Sequence, residues 1–150
     1  MNLELQHLVK VAKLDSADNE RLRLELGLLF VERIEQQLER EEALDALRQF
    51  KVLIRESFDA VKLRKLAEES LLIANHHPGS TSIDGTQHSA VSATYALANA
   101  INGKVLEAAA YAAYSKIYGY GGYALSDPSS FEEEYKAQVA IFKRRMPEAV

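Results

Sequence analysis

Hydrophobic residues recur at three- and four-residue intervals over most of the chain, with polar and charged residues between them. This spacing places the apolar side chains on one face of a helix. The pattern predicts a short first helix that ends near Leu14. There Asp15, Ser16 and Asp18 form a polar break that is rich in helix-capping residues.

The stretch RLRLELGLLFV, residues 21–31, fits two kinds of element. Its leucines alternate from Leu22 to Leu28, as in a β-strand, but Leu22 and Leu26 also begin a helical stripe that continues to Leu38. Leucine, arginine and glutamate favour a helix, and few residues here are β-branched. We therefore expect one long helix that continues through VERIEQQLER.

Two more helices are predicted before residue 78. The chain is expected to turn in the charged segment from Glu39 to Glu42, and a helical stripe follows that segment. Ser57 is a candidate N-cap for the next helix, which Pro78 and Gly79 would end. The first half therefore contains four predicted helices.

Alanine dominates residues 89–113, and the dipeptide Asn102-Gly103 marks a turn within that stretch. Alanine costs no side-chain entropy and lets two backbones approach closely. The stretch predicts two helices packed against each other at the centre of the fold. Large side chains are expected to fill the space that the alanines leave, namely those of Tyr95, Tyr111, Tyr114 and Tyr118.

The segment GYGGYALSDPSS breaks the chain before a last helix. Pro128 is expected to end the preceding turn, and Ser130 with Glu133 fits the S-x-x-E capping box. The last helix is predicted to reach about Met146. The whole pattern predicts an all-α, single-domain bundle of six to seven helices over residues 1–150, with the alanine-rich pair at its centre.

The composition agrees with one globular domain, since 47% of the 150 residues are hydrophobic and 27% are charged. The chain has no cysteine, which excludes disulfides, thiolate zinc sites and cysteine nucleophiles. Its net charge of −4 disfavours nucleic acid as a partner and suits a basic protein. The N-terminal residues contain no basic leader and no long apolar run, so we expect a cytoplasmic protein without a membrane partner.

The segment ANHHPGSTSIDGTQHSA, residues 74–90, holds three of the four histidines. A loop could bring His76 or His77 together with Asp84 and His88, and imidazoles with a carboxylate can bind a metal ion. The chain has no H-E-x-x-H motif and no Glu-x-x-His pair of the di-iron type. We expect helix capping and loop packing here, with no metal and no cofactor, and keep a metal site as the alternative.

Other catalytic motifs are missing, since there is no G-x-S-x-G and no glycine-rich phosphate loop. The sequence therefore predicts no enzyme. The candidate binding residues are aromatic or acidic: tyrosines can anchor an interface, and carboxylates attract a basic partner. These candidates are Tyr118, Tyr120, Tyr123, Asp127, Glu132, Glu133 and Glu134.

Each candidate set also has a purely structural interpretation. The tyrosines would fill the junction between helices. The acidic residues near 127–134, like a second acidic group between Glu32 and Asp45, would form solvated helix faces. If the two acidic groups lie on one side of the fold, they form a patch for a basic protein.

The stretch HSAVSATYALANAINGKVLEAAAYAAYSKIYGYGGYA follows the helix EESLLIANHH. With the leading helix ELGLLFVERIEQQLE, it resembles the all-helical immunity proteins of bacterial polymorphic-toxin systems, in particular their alanine-rich family five. The likeness covers roughly residues 22 to 120. It rests on paired alanine-rich helices with a His or Ser near their start and aromatic residues near their end.

The resemblance implies a small cytoplasmic protein that binds a cognate toxin domain and blocks its active site or an essential surface. Three hypotheses follow from the sequence. The first is a non-enzymatic immunity protein. The second is a helical metal-dependent enzyme or regulator, and the third is a homodimer that forms through the alanine-rich face.

Overall fold

A computed structural model describes residues 2–78, 86–120, 124 and 127–149. These residues form seven α-helices and no strand, so the all-α prediction is confirmed. No helix in this part of the chain is long and apolar enough to cross a membrane. The helices are α1 (Leu3–Val11), α2 (Glu20–Glu32), α3 (Glu41–Arg55), α4 (Ala60–Asn75), α5 (Thr86–Ile101), α6 (Val105–Tyr118) and α7 (Glu132–Arg145).

The alanine-rich pair, α5 and α6, lies at the centre of the molecule, as predicted. The two helices pack along each other, and α5 also contacts α2 and α4. Gly103 makes the turn between them with a φ of 75°, a conformation that glycine adopts without strain. Nearly all the alanines of the pair are buried, so the alanine-rich face is not free to meet a second copy of the chain.

Two apolar cores flank α2, which is buried on two sides. Leu24 and Leu28 pack with α3, α4 and α5 in one core. Leu26 and Phe30 pack with α1, α6 and α7 in the other. This double burial explains why the leucines of this helix alternate as they would in a strand.

The tyrosines of α6 do not fill the space between the alanine helices. The buried face of α6 includes Ala108 and Ala112, whereas Tyr111 and Tyr114 are 38% and 46% exposed on the other side of the helix. Leucine, isoleucine and phenylalanine side chains of α2, α3 and α5 supply the bulk of the core that contains the alanines. The predicted role is therefore wrong for Tyr111 and Tyr114, whereas Tyr95 and Tyr118 are half-buried.

The predicted long second helix is interrupted after Glu32. Ile34, Gln37 and Leu38 donate backbone hydrogen bonds to carbonyls three residues back, so the backbone tightens into a 3₁₀ helix at Glu35–Gln37. This change of direction buries Ile34 and Leu38 and lets the chain return as α3. The turn into α3 lies close to the predicted segment.

Two predicted caps are wrong. The N–H of Ser57 bonds to the carbonyl of Val52, so this residue belongs to the end of α3. Asp59 caps α4 instead, because its side chain accepts from two backbone N–H groups. Ser130 lies inside a 3₁₀ helix, Pro128–Phe131, and cannot cap α7. Asp127 caps that 3₁₀ helix, and Pro128 begins it rather than ending a turn.

The helix α1 ends at Val11, three residues before the predicted end. Lys13 has a φ of 53°, and the chain turns there so that Leu14 enters the core. At the other end of the chain, α7 ends at Arg145 with Met146 as its C-cap, close to the predicted position.

Close contact between α2 and α5 depends on Gly27. A Cβ atom at this position would lie 3.0 Å from Cβ and 3.1 Å from Cα of Ala100. Gly27→Ala should therefore lower the free energy of unfolding by about 1–2 kcal/mol, because the strain of overpacking exceeds the helix propensity that alanine gains. Urea unfolding measures this change. An unchanged or higher stability would show that the two helices can separate without cost.

Candidate functional site

Aromatic side chains follow the outer face of α6. Tyr111, Tyr114 and Tyr118 are three and four residues apart, so they lie on one side of the helix. The rings of Tyr114 and Tyr118 have centroids 6.5 Å apart, and Tyr118 stacks on His88 of α5 at 5.2 Å. Tyr111 stacks on Tyr95 at 5.3 Å.

The row of rings continues onto the start of α7. Tyr114 meets Phe131 edge to face at 5.5 Å, and Phe131 contacts Tyr135 at 5.6 Å. Burial raises the pKa of the Tyr135 phenol, with a smaller contribution from Tyr114. We call this continuous set, His88, Tyr118, Tyr114, Phe131 and Tyr135, the aromatic face.

A pair of buried serines fixes one end of the aromatic face. Ser89 donates its hydroxyl hydrogen to the carbonyl of Ser115 at 2.6 Å, and Ser115 donates to the carbonyl of Ser89 at 2.8 Å. These reciprocal bonds join the start of α5 to the end of α6. They hold His88 over Tyr118 because each aromatic residue is close in sequence to one of the serines.

The predicted tyrosines lie in different surroundings. Tyr118 is half-buried within the aromatic face, Tyr120 is 54% exposed, and Tyr123 lies outside the described residues. Sequence reasoning missed Tyr111 and Tyr114 as surface residues. The sequence did contain a signal for their exposure, namely their spacing relative to the alanines of α6. Residues on the side of a helix opposite a buried alanine face point outward.

The predicted acidic residues near the start of α7 divide into two groups. Asp127, Glu132 and Glu133 are exposed. Hydrogen bonds from the side chain and the backbone N–H of Ser129 lower the pKa of Asp127. Within the described parts of the chain, no basic group lies within 4 Å of Glu132 or Glu133.

Glu134 is buried and does not belong to an exposed acidic patch. Arg33 donates from Nε to Oε2 at 2.7 Å and from Nη2 to Oε1 at 2.8 Å. The hydrogen bond to Glu134 raises the pKa of Arg33, and the charges of Glu134 and Glu133 add to the effect. This bidentate pair joins the end of α2 to the start of α7, beside the aromatic face.

The second acidic group, near α3, is largely neutralised. Arg55 pairs with Glu32 and lowers the pKa of that carboxyl. Lys51 pairs with Glu35 at 3.0 Å, and similar pairs hold most of the other carboxylates. These further ion pairs are Arg48–Glu41, Arg48–Asp45 and Arg40–Glu42. The two acidic groups therefore do not add up to one continuous negative patch.

The described histidines of the 74–90 segment point to different partners. His76 caps α4 through a contact of 2.8 Å between Nδ1 and the carbonyl of Leu72. His88 belongs to the aromatic face, and Asp84 lies outside the described residues. No group of three possible metal ligands occurs in the described ranges.

His77 is the one of these histidines whose ring nitrogens are buried. Both nitrogens lack a hydrogen-bond partner. Burial lowers its pKa, the charge of Arg40 lowers it further, and Glu39 and Glu42 act in the opposite direction. The side chain therefore favours the neutral form in the folded protein.

Comparisons of the chain with protein-family models, curated proteins and solved structures give no match.

The ion pair of Arg33 and Glu134 should respond unequally to loss of either partner. Arg33→Met leaves a buried carboxylate without a counterion and should cost about 2–4 kcal/mol, somewhat less than for a fully buried pair because Arg33 is one-third exposed. Glu134→Gln leaves a neutral amide beside an arginine that water can reach, and should cost less. Urea unfolding compares the stabilities of the two variants.

Arg145→Met, which removes one partner of an exposed pair with Glu25, is the control. An equal or larger loss in Glu134→Gln contradicts this account.

His77 should make the protein less stable as the pH falls. An unfolded histidine has a pKa of about 6.5, and the folded value is lower. Below pH 6.5 the unfolded state therefore takes up the proton first, and stability decreases toward the folded pKa. His77→Gln should flatten the decline in unfolding free energy between about pH 7.5 and pH 5. His7→Gln, the same substitution at an exposed site of α1, is the control. A decline that is equally steep in His77→Gln would assign it to other groups.

Proposed function

We propose that this chain is a non-enzymatic binding protein that neutralises a cognate protein toxin, as an immunity protein of a bacterial polymorphic-toxin system. The observation that supports this proposal is the aromatic face, which borders the exposed carboxylates of Glu132 and Glu133. Such a surface can hold a protein partner and needs no catalytic group.

Aromatic residues make effective anchors for a protein partner. Tyrosine buries a large area and has only two rotatable side-chain torsions, so it loses little entropy when it becomes fixed. In the aromatic face the rings already contact one another, and Tyr114 remains 46% exposed. A partner would therefore meet a surface that is largely preorganised, which lowers the entropic cost of binding.

The charge of this region favours a basic partner. Glu132 and Glu133 follow Phe131 directly, so their carboxylates border the edge of the aromatic face. The chain as a whole carries a net charge of −4. Opposite charges on a toxin would speed association and fix its orientation on the rings.

The Arg33–Glu134 pair has a positioning role in this proposal. It anchors the first turn of α7, where Glu133 is adjacent to Glu134 in sequence. Tyr120 follows the end of α6 and its N–H bonds to the carbonyl of Ile117, so it lies close to Tyr118 of the aromatic face. Tyr120, Glu132 and Glu133 would then form the polar rim of the surface, and Tyr114 and Tyr118 would form its centre.

The proposal predicts that truncating an exposed ring weakens toxin binding without unfolding the protein. Tyr114→Ala should weaken binding by about tenfold or more, since a central aromatic anchor contributes about 2 kcal/mol or more. Tyr120→Ala at the rim should have a smaller effect in the same direction. Isothermal titration calorimetry measures both against an inactive form of the toxin encoded by the neighbouring gene.

Phe58→Ala is the matched control, because Phe58 is a 39% exposed aromatic residue before α4, away from the aromatic face. It should leave toxin binding unchanged. If the neighbouring gene product neither binds this chain nor loses its toxicity when co-expressed with it, the proposed function is wrong. If Phe58→Ala and Tyr114→Ala lose equal amounts of binding affinity, the aromatic face is not the binding surface.

A further inference from the structure

The outward face of α4 has no partner in the described chain. Leu63, Leu66, Ser70 and Ala74 form its buried face. On the opposite side, Val61 is 72% exposed and Leu72 is 57% exposed, the two largest apolar exposures on this helix. A groove of about 700 Å³ between α3 and α4 runs beside this outward face, so a second body can approach it.

Four exposed residues on this outward face have the spacing of a coiled-coil seam. Val61, Lys65, Glu68 and Leu72 are four, three and four residues apart, which places them in one line along the helix. The order apolar, basic, acidic, apolar is symmetric about the midpoint between Lys65 and Glu68. We call these four residues the α4 seam.

The charges of α4 are reversed relative to those of four other helices. The helices α1, α3, α6 and α7 each carry an acidic residue in the first turn and a basic residue in the last, as the helix dipole favours. In α4, Lys62 lies in the first turn, Lys65 follows, and Glu68 and Glu69 lie beyond the midpoint. This order gains nothing from the helix dipole, and it matches an antiparallel copy of the same helix.

An antiparallel two-fold contact would give each residue of the seam a complementary partner. Because the seam is symmetric about its midpoint, Lys65 of one copy would lie opposite Glu68 of the other, and Val61 opposite Leu72, with each pair occurring twice. Within the described ranges, neither Lys65 nor Glu68 has an oppositely charged group within 4 Å. Both are therefore available for such a contact.

We propose that the chain forms a homodimer through the α4 seam, with the two α4 helices antiparallel. The seam lies on α4, whereas the aromatic face is built from residues of α5, α6 and the start of α7, so the two surfaces share no residue. A dimer of this kind uses no residue of the aromatic face, so its test is separate from that of toxin binding. The interface is small, and its dissociation constant should be on the order of 10 µM, in the range of transient contacts.

Charge reversal tests this arrangement. Lys65→Glu places two pairs of glutamates opposite each other in the dimer, and Glu68→Lys places two pairs of lysines there. Each single variant should weaken the homodimer by about tenfold or more. The double variant K65E/E68K restores two attractive pairs and should dimerise like the natural chain. Sedimentation equilibrium over a concentration series measures all of these.

A mixture of the two single variants gives the sharpest result. The K65E chain then carries two glutamates in its seam and the E68K chain carries two lysines, so each glutamate faces a lysine and the two weakened proteins should form a heterodimer. Lys136→Glu, the same charge change at an exposed site of α7, is the matched control and should not affect dimerisation. Melting temperatures of all variants separate dissociation from loss of folding.

Three outcomes would overturn the proposal. These are a natural chain that remains monomeric at several hundred micromolar, a dimer that Lys65→Glu leaves intact, and single variants that do not associate when mixed. Binding of an unrelated helical protein to the seam would not explain a heterodimer of the two variants, because only two antiparallel copies exchange these charges. Toxin binding by the monomeric variants is measured separately, so failure of the dimer does not affect the proposed function.

Discussion

Close packing of small residues around α5 is the constraint on which the rest of this structure depends. Gly27 of α2 meets Ala100 at a distance that leaves no room for a methyl group, and the alanines of α6 pack against α5 on another side. Backbones this close exclude large side chains from the contact. The large apolar residues therefore lie in the two cores on either side of α2, and the aromatic residues of α6 lie outside.

The aromatic face is a consequence of that constraint. A helix whose alanines face inward must place its remaining residues outward, and in α6 these include three tyrosines at helical spacing. The rings of Tyr118 and Tyr114 pack against His88 and Phe131, which come from different helical segments. The surface is thus held by the same close packing that forms the core, and the proposed binding function requires no additional element.

Electrostatics assign different roles to the acidic residues. Glu134 is buried and paired with Arg33, so it stabilises the join between α2 and α7, whereas Glu132 and Glu133 remain at the surface. Near α3, arginine and lysine neutralise most carboxylates. On α4 the charges of the seam have no partner in the described chain and are ordered along the helix. The aromatic face and the α4 seam therefore differ in chemistry, and they share no residue.

The sequence determined the helical class, the central alanine pair and the turn at Asn102-Gly103, because periodicity, residue size and glycine at positive φ act locally. It did not determine where α2 ends, because residues 33–38 continue a helical pattern and only the return of α3 against the core requires a break. The predicted caps at Ser57 and Ser130 were wrong for a similar reason. A serine can cap a helix only if its own backbone does not belong to another helical turn, and the tertiary structure decides that.

For the candidate site, the sequence supplied the residue types, and the tertiary structure decided their exposure. Tyr118 and Tyr120 could be named from composition alone, but the outward position of Tyr114 and the burial of Glu134 depend on which helices pack against them. The sequence alone does not show whether a given carboxylate contacts water or an arginine. Only the fold brings Arg33 within hydrogen-bonding distance of a residue 101 positions away and so decides between the two.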